Sequence, residues 1–245
     1  MNKVIIITGN RKGIGKFLTD HFIKKDYSVI GCSRTPNEFK HPNYLHFITD
    51  VGDEKGVIKL VKEVYRKFGK IDYLINNAGK ASLNHSILTP GKTVKEVFST
   101  NFDGSFFFSR ECSKVMMKKK YGRIINFSTI AVPLDLEGEL VYASSKAAIE
   151  KMSKIMSKEL APYNITVNTI GPTPIDTDLM RVVPKDKVKE ILEKQTIKRF
   201  GSFDDILNVI DFFLNDKSTF ITGQTIYLGG LWYRKLLKNI EEFQL

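Results

Sequence analysis

Tyr142 and Lys146 stand four residues apart in the run Y-A-S-S-K. On a helix this spacing sends both side chains out of one face, so a phenol and an ammonium can converge on a third molecule. A free phenol, with a pKa of about 10, is a poor acid at neutral pH, and a nearby ammonium favours the phenolate and lowers that value. Each tenfold gain in acidity corresponds to about 1.4 kcal/mol, so a tyrosine tuned this way can give or take a proton. The same spacing is also common on solvated helices, where it carries no chemistry. The pair acquires meaning from the elements that would position it.

The first such element is an apolar run, K-V-I-I-I-T from Lys3 to Thr8, β-branched in the manner of a strand buried in a parallel sheet. It leads directly into T-G-N-R-K-G-I-G, which puts Gly9, Gly13 and Gly15 at the turn into a helix running to about Lys25. Glycines there permit a tight turn and let the backbone approach a pyrophosphate, which then sits on the free N–H groups of a helix N-terminus. The spacing is G-x-x-x-G-x-G. Further strands are predicted at 27–31, 44–48, 73–76, 123–127, 166–170 and 225–228, with helices near 53–69, 93–119, 140–161 and 203–214. This alternation implies a single-domain, doubly wound α/β fold of Rossmann type. About seven parallel strands would carry helices on both faces, with ligands at the carboxyl ends of the strands.

On these motifs the chain resembles the short-chain dehydrogenases/reductases from Lys3 to about Gly230. The ordered set is Thr8-Gly9-x-x-x-Gly13-x-Gly15, Asp50-Val51, Asn76-Asn77-Ala78-Gly79, Asn101, Tyr142-x-x-x-Lys146 and a Pro172 segment ending in Thr177. The resemblance implies a catalytic domain over residues 1–230 with residues 231–245 as an extension. It makes Tyr142 the acid/base, Lys146 a ribose ligand that lowers the Tyr142 pKa, and Asn101 the holder of a proton-relaying water. The family serine that steadies the substrate carbonyl falls on Thr129, with Ser128 one step earlier. A threonine hydroxyl has the same donor and acceptor capacity, and successive strand residues point to opposite faces, so one of the two is expected to reach the site.

The resemblance also implies a dinucleotide cofactor held by Gly9, Lys12, Gly13, Ile14, Gly15, Asp50, Val51, Asn77, Ala78, Gly79, Tyr142, Lys146, Pro172, Ile175 and Thr177. An NAD-preferring site carries an acid at the end of the second strand to bind the ribose 2′-hydroxyl. Here that strand ends G-C-S-R, so Ser33 and Arg34, with Lys12 nearby, favour the 2′-phosphate of NADP(H). Within the family the nearest likeness is to 3-oxoacyl-[acyl-carrier-protein] reductases, in M-M-K-K-K-Y-G-R from Met116 and F-I-T-G-Q-T from Phe220. Lys120 occupies their first carrier-docking position, and Tyr163 replaces the second cation. The expected reaction is NADPH-dependent reduction of a ketone, with a 3-oxoacyl thioester ranked first and a sugar or other polar keto metabolite second. A cofactor-binding protein without turnover is the alternative of a different class. The loop carrying Asp135, Glu137 and Glu139 reads as solvated charge that would disfavour an anionic substrate.

Composition narrows the partners. Thirty-eight Lys+Arg against 27 Asp+Glu give +11, but the lysines are scattered along helices without interleaved aromatics, which argues against nucleic acid. No apolar run approaches the roughly 18 residues of a membrane span, and the chain enters a strand at once, with no room for a signal peptide. Cys32 and Cys112 lack metal-ligand neighbours and form no disulfide framework, so no metal site and a cytoplasmic location are expected. The family's usual homotetramer, or a dimer, is the expected assembly. Trp232, Leu236, Ile240 and Phe243 in the extension recur at helical spacing, as a helix packing on a neighbouring subunit would.

Overall fold

The structure, a computed structural model, describes residues 2–175 and 185–230. Seven parallel strands form one sheet: β1 (Val4–Thr8), β2 (Ser28–Ser33), β3 (Tyr44–Ile48), β4 (Tyr73–Asn76), β5 (Gly122–Phe127), β6 (Ile165–Gly171) and β7 (Thr225–Tyr227), in the order β3-β2-β1-β4-β5-β6-β7. The chain builds outward from β1 to β3, then returns to the other side of β1 with β4. That reversal opens a crevice at the carboxyl ends of β1 and β4, the place where doubly wound sheets take ligands.

Each apolar strand feeds two cores, because alternate side chains leave the pleat in opposite directions. Ile6, Ile30, Leu74, Ile124 and Val167 pack beneath α2 (Glu54–Phe68) and α4 (Gly104–Lys119). Ile5, Ile7, Val29, Ile75, Ile125 and Ile170 pack beneath α1 (Gly13–Lys24) and α8 (Phe203–Leu214). Every residue of β1 is buried, as its unbroken β-branched run predicts. The helix ends follow local chemistry. Asp53 caps α2 by accepting from the Lys55 N–H, and Gly69 closes it in the left-handed conformation at φ 68°. Ser202 and Asp205 form a reciprocal capping box at the start of α8.

The predicted helix at 93–119 is three elements. α3 (Gly91–Phe98) passes into one π-helical turn, Ser99–Asp103, before α4. Such turns insert an extra residue and re-aim a side chain, and this one carries Asn101. A short α5 (Ala131–Leu134) and a polar α7 (Lys185–Lys194) were not among the predicted elements, while α6 (Leu140–Leu160) matches its prediction to one residue. Residues 231–245 and Thr177 lie outside the described residues, so the predicted tail helix and the Thr177 contact do as well.

Candidate active site

The turn after β1 is built by steric exclusion. Gly9 and Gly13 have φ of 66° and 56°, the left-handed region in which a side chain is strained. A Cβ at Gly15 would lie 2.4 Å from the Gly9 carbonyl oxygen and 2.6 Å from Asn77 Nδ2, so α1 approaches the strand ends only because residue 15 has none. Asn77 Nδ2 donates to the carbonyls of Thr8 (2.9 Å) and Gly9 (3.1 Å), and the Ala78 N–H donates to the Thr8 hydroxyl (3.0 Å). The loop after β4 therefore clamps the glycine turn in place. α1 starts without a side-chain cap or an acid in its first turn, leaving its first amides for an anion.

A cavity of about 490 Å³ runs from this turn to the far side of the sheet end. Of the predicted residues, Gly9, Lys12, Gly13, Ile14, Asn77, Ala78, Gly79, Thr129, Tyr142, Lys146, Pro172 and Ile175 line it. Gly15, Ser33, Arg34, Asp50, Val51 and Asn101 stand outside that lining. Gly15 is buried behind the turn, and Val51 belongs to the core beneath α4. Asp50 is exposed and accepts from the Gly52 N–H at 3.0 Å. At the end of β2, Ser33 donates its hydroxyl to the Thr35 carbonyl at 2.6 Å and contacts His46 Nε2 at 3.1 Å, while Arg34 extends into solvent.

Asn101 is fully buried. Its Oδ1 accepts from the Lys80 N–H (2.8 Å), and its Nδ2 donates to the Lys80 carbonyl (3.0 Å) and to Ser145 Oγ (2.9 Å). The carboxamide thus ties the loop after β4 to α6. A Cβ built on Gly79 would lie 3.6 Å from both Asn101 Oδ1 and Lys146 Nζ, which brings these two predicted residues to one point. Ser145, which completes the tie, was missed in the sequence, where only its place between Tyr142 and Lys146 could have signalled it.

Tyr142 and Lys146 sit one helical turn apart near the start of α6, with Lys146 Nζ 6.0 Å from the Tyr142 ring centre. Lys146 is 3 % exposed and donates to the Phe127 carbonyl at 2.8 Å. Burial pushes its pKa down from 10.5 to about 8. Burial pushes Tyr142 the other way, from 10.0 up to about 12, with the charge of Glu139 adding to the rise and a hydrogen bond from Thr129 opposing it. This corrects the expectation of a phenol lowered by its lysine. Desolvation dominates both groups, because the ammonium is turned to a backbone carbonyl and is itself stripped of water.

The register after β5 resolves the two candidate hydroxyls. Ser128 continues the ladder through its N–H to the Ile170 carbonyl at 2.8 Å, and its hydroxyl donates to the Glu150 carboxylate, which also accepts from the Tyr227 hydroxyl at 2.6 Å. Thr129, on the alternate direction, hydrogen-bonds the Tyr142 phenol. The acidic loop is also corrected. Asp135 and Glu137 are exposed, whereas Glu139 lines the cavity, joined by Lys80, Leu136, Thr173 and Ile191. Thr173 is buried and hydrogen-bonds Gln195.

A crevice at the strand reversal, a glycine turn under a bare helix start and a Tyr–Lys pair on one helix face define a nucleotide-dependent oxidoreductase fold. The family model described as short chain dehydrogenase matches residues 3–188, and the chain belongs to that family. It is 32 % identical over 237 residues to the 3-oxoacyl-[acyl-carrier-protein] reductase of Buchnera aphidicola subsp. Schizaphis graminum, covering 94 % of this chain and 97 % of the relative. The enzyme of that name from Staphylococcus epidermidis is 31 % identical over 243 residues, covering 95 % and 100 %. Among solved structures, ElxO with NADP bound superposes with a TM-score of 0.85 at 29 % identity, over 93 % of this chain and 97 % of that one. An NAD+-bound xylitol dehydrogenase superposes with a TM-score of 0.83 at 26 % identity, over 93 % and 98 %.

Proposed function

We propose that this oxidoreductase uses NADP(H) to reduce a ketone to a secondary alcohol, with a 3-oxoacyl thioester as its substrate. The observation that carries the reading is the single cavity in which the glycine turn meets Thr129, Tyr142 and Lys146. The residues present fit a dinucleotide. Gly9 and Gly15 let the turn and the start of α1 close on the Asn77–Ala78 loop where a Cβ would clash, and the uncapped start of α1 offers amides to the pyrophosphate. The end of β2 presents Arg34 and no carboxylate, and Arg34 has no ion-pair partner among the described residues, which supports a 2′-phosphate ligand. Bound there, the nicotinamide would supply the hydride.

The chain's own residues divide the remaining work. The Tyr142 hydroxyl, held protonated by burial up to a pKa of about 12, gives its proton to the carbonyl oxygen as charge develops there. Thr129 hydrogen-bonds the same oxygen from the strand end. Lys146 binds the ribose hydroxyls, and its ammonium acts on Tyr142 once it is drawn from the Phe127 carbonyl. Asn101 holds the Lys80 loop and α6 at fixed separation, the geometry on which a proton-relaying water depends.

The thioester is favoured by the reductases of 3-oxoacyl-[acyl-carrier-protein] among the relatives. Exposed Lys120, in the left-handed position that ends α4, offers one cation for an acidic carrier protein. Tyr163 is an uncharged phenol and offers none, and its ring packs on the core beneath α4. We further take the assembly to be a homotetramer, or a dimer. No helix among the described residues is long and apolar enough to cross a membrane, and a cytoplasmic location is part of the same reading. A polar keto substrate is the second reading, favoured by the carboxyl of Glu139 in the cavity wall. NADPH oxidation across acetoacetyl thioesters, keto-sugars and quinones tests both. Turnover confined to quinones, or no turnover at all, would refute them.

A further inference from the structure

Glu139 is left over from the chemistry above. It stands three residues before Tyr142, in the N-cap position of α6, yet its side chain makes no capping bond. Its backbone is engaged, the N–H donating to the Leu136 carbonyl (3.2 Å) and the carbonyl accepting from the Ala143 N–H (2.7 Å). Its carboxyl has no hydrogen-bond or ion-pair partner among the described residues. It lines the cavity together with Thr129 and Tyr142, and it is close enough to Tyr142 for its charge to raise that phenol. Burial raises the pKa of Glu139 itself. A partly desolvated carboxyl without a donor is costly, and a cavity wall is where a ligand can supply one. Asp135 and Glu137, on the same loop, are exposed and bear no such cost. Ile130, Leu136 and Ile191 share the lining, and their apolar side chains strengthen any charge or hydrogen bond made there; Lys80 lines the same cavity but is paired with Glu96.

We infer that Glu139 determines specificity, accepting a hydrogen bond from an N–H or O–H group near the reacting carbonyl and repelling ketones that carry a carboxylate there. The inference rests on the ketone-reductase reading and adds the polarity of its substrate. Two sources can supply the donor: an amide N–H in the arm of a carrier-type thioester, or a hydroxyl or amino group on a small ketone. Both share one chemistry, a donor that the glutamate can accept from and that an anion cannot mimic.

The test uses matched ligands and does not depend on turnover. Dissociation constants of 4-amino-2-butanone, 4-hydroxy-2-butanone, 2-pentanone and 4-oxopentanoate for the NADPH complex are measured by nicotinamide fluorescence, for the wild type and Glu139→Gln. The wild type should bind the ammonium ketone about 100-fold more tightly than the carboxylate ketone, a spread typical of one desolvated charge contact. Glutamine keeps the shape and removes the charge, so the spread should collapse to about threefold or less. A spread that survives in the variant, a uniform loss across all four ligands, or no binding by any of them overturns the assignment. The S-ethyl and N-acetylcysteamine thioesters of acetoacetate then separate the two sources, since only the second carries an amide N–H. Parallel assays of NADPH oxidation keep the two readings apart. Ordered binding without oxidation contradicts ketone reduction alone, and oxidation without discrimination contradicts the role of Glu139 alone.

Discussion

Replacing Thr129 by valine tests the strand-end register on which the site depends. Valine keeps the branched shape, so packing beside Ile130 and Ala131 is retained while the hydroxyl is lost. Two hydrogen bonds go with it: one to the Tyr142 phenol and a weaker one accepted from the Ala131 N–H at 3.3 Å. The second is worth about 1 kcal/mol of stability at most. The first opposes the rise in the Tyr142 pKa, so its loss moves the phenol further up in the ligand-free protein; with a ketone bound, the same hydroxyl proton turns to the carbonyl oxygen, which valine leaves with one donor in place of two. Loss of one such donor costs about 10²–10³ in kcat. Thr129→Ser should recover most of that loss, because it restores the hydroxyl. Ser128→Ala is the matched control. Its hydroxyl serves Glu150, which retains the Tyr227 hydroxyl, so the expected effect is about 1 kcal/mol of stability, or about 2–4 °C in Tm, with kcat changed by less than about threefold. The assay is steady-state NADPH oxidation with an acetoacetyl thioester, alongside thermal melts of all four proteins. A tenfold loss of kcat in Ser128→Ala with near-normal Thr129→Val would refute the reasoning.

Two other predictions follow from charge. Arg34→Asp should lower the ratio of kcat/KM for NADPH over NADH by at least about tenfold, since a carboxylate at the end of β2 repels a 2′-phosphate and accepts from a 2′-hydroxyl; an unchanged ratio removes Arg34 from cofactor selection. Lys146→Met should abolish turnover while stabilising the ligand-free protein at pH 7 by on the order of 3 kcal/mol, the equivalent of a pKa held at about 8 against 10.5 when unfolded. The sign follows from proton binding. Between pH 8 and 10.5 the unfolded chain binds more protons at this lysine, so wild-type stability rises with pH and the advantage of methionine should shrink across that window. Urea melts at pH 7 and pH 9.5 measure it, and an advantage that grows with pH would be contrary to the account.

The sheet was legible because its strands are β-branched runs whose alternate residues both find a core, and because the helices between them carry apolar stripes at helical period. That Gly9, Gly13, Tyr142 and Lys146 meet at one cavity could be anticipated from residue type and short spacing, and Thr129 joins them there at the place the family resemblance gave it. What escaped depends on contacts distant in sequence. The π-helical turn at Asn101 exists because its carboxamide closes on Lys80 and Ser145, partners 21 and 44 positions away. Glu139 faces inward because Gly138, at φ 83°, packs on Leu83 and accepts from the Asn84 N–H at 2.8 Å. Local charge could only suggest that it was solvated. The helix α7 has few apolar residues, and its Ile191 finds the cavity wall only in the folded chain. The Tyr142 and Lys146 pKa values also depend on the fold, since spacing reveals that two groups can meet but not how much water they lose.

Ketone reduction at this site requires Tyr142 as the proton donor in a protein loaded with NADPH. The direct test is Tyr142→Phe, with NADPH binding followed by fluorescence and NADPH oxidation followed with an acetoacetyl thioester. Phenylalanine removes only the hydroxyl, so the dissociation constant for NADPH should stay within about threefold while kcat falls about 10²–10⁴-fold, the range for a lost positioned acid. Retention of more than half the wild-type rate, with the cofactor bound normally, would contradict the central claim.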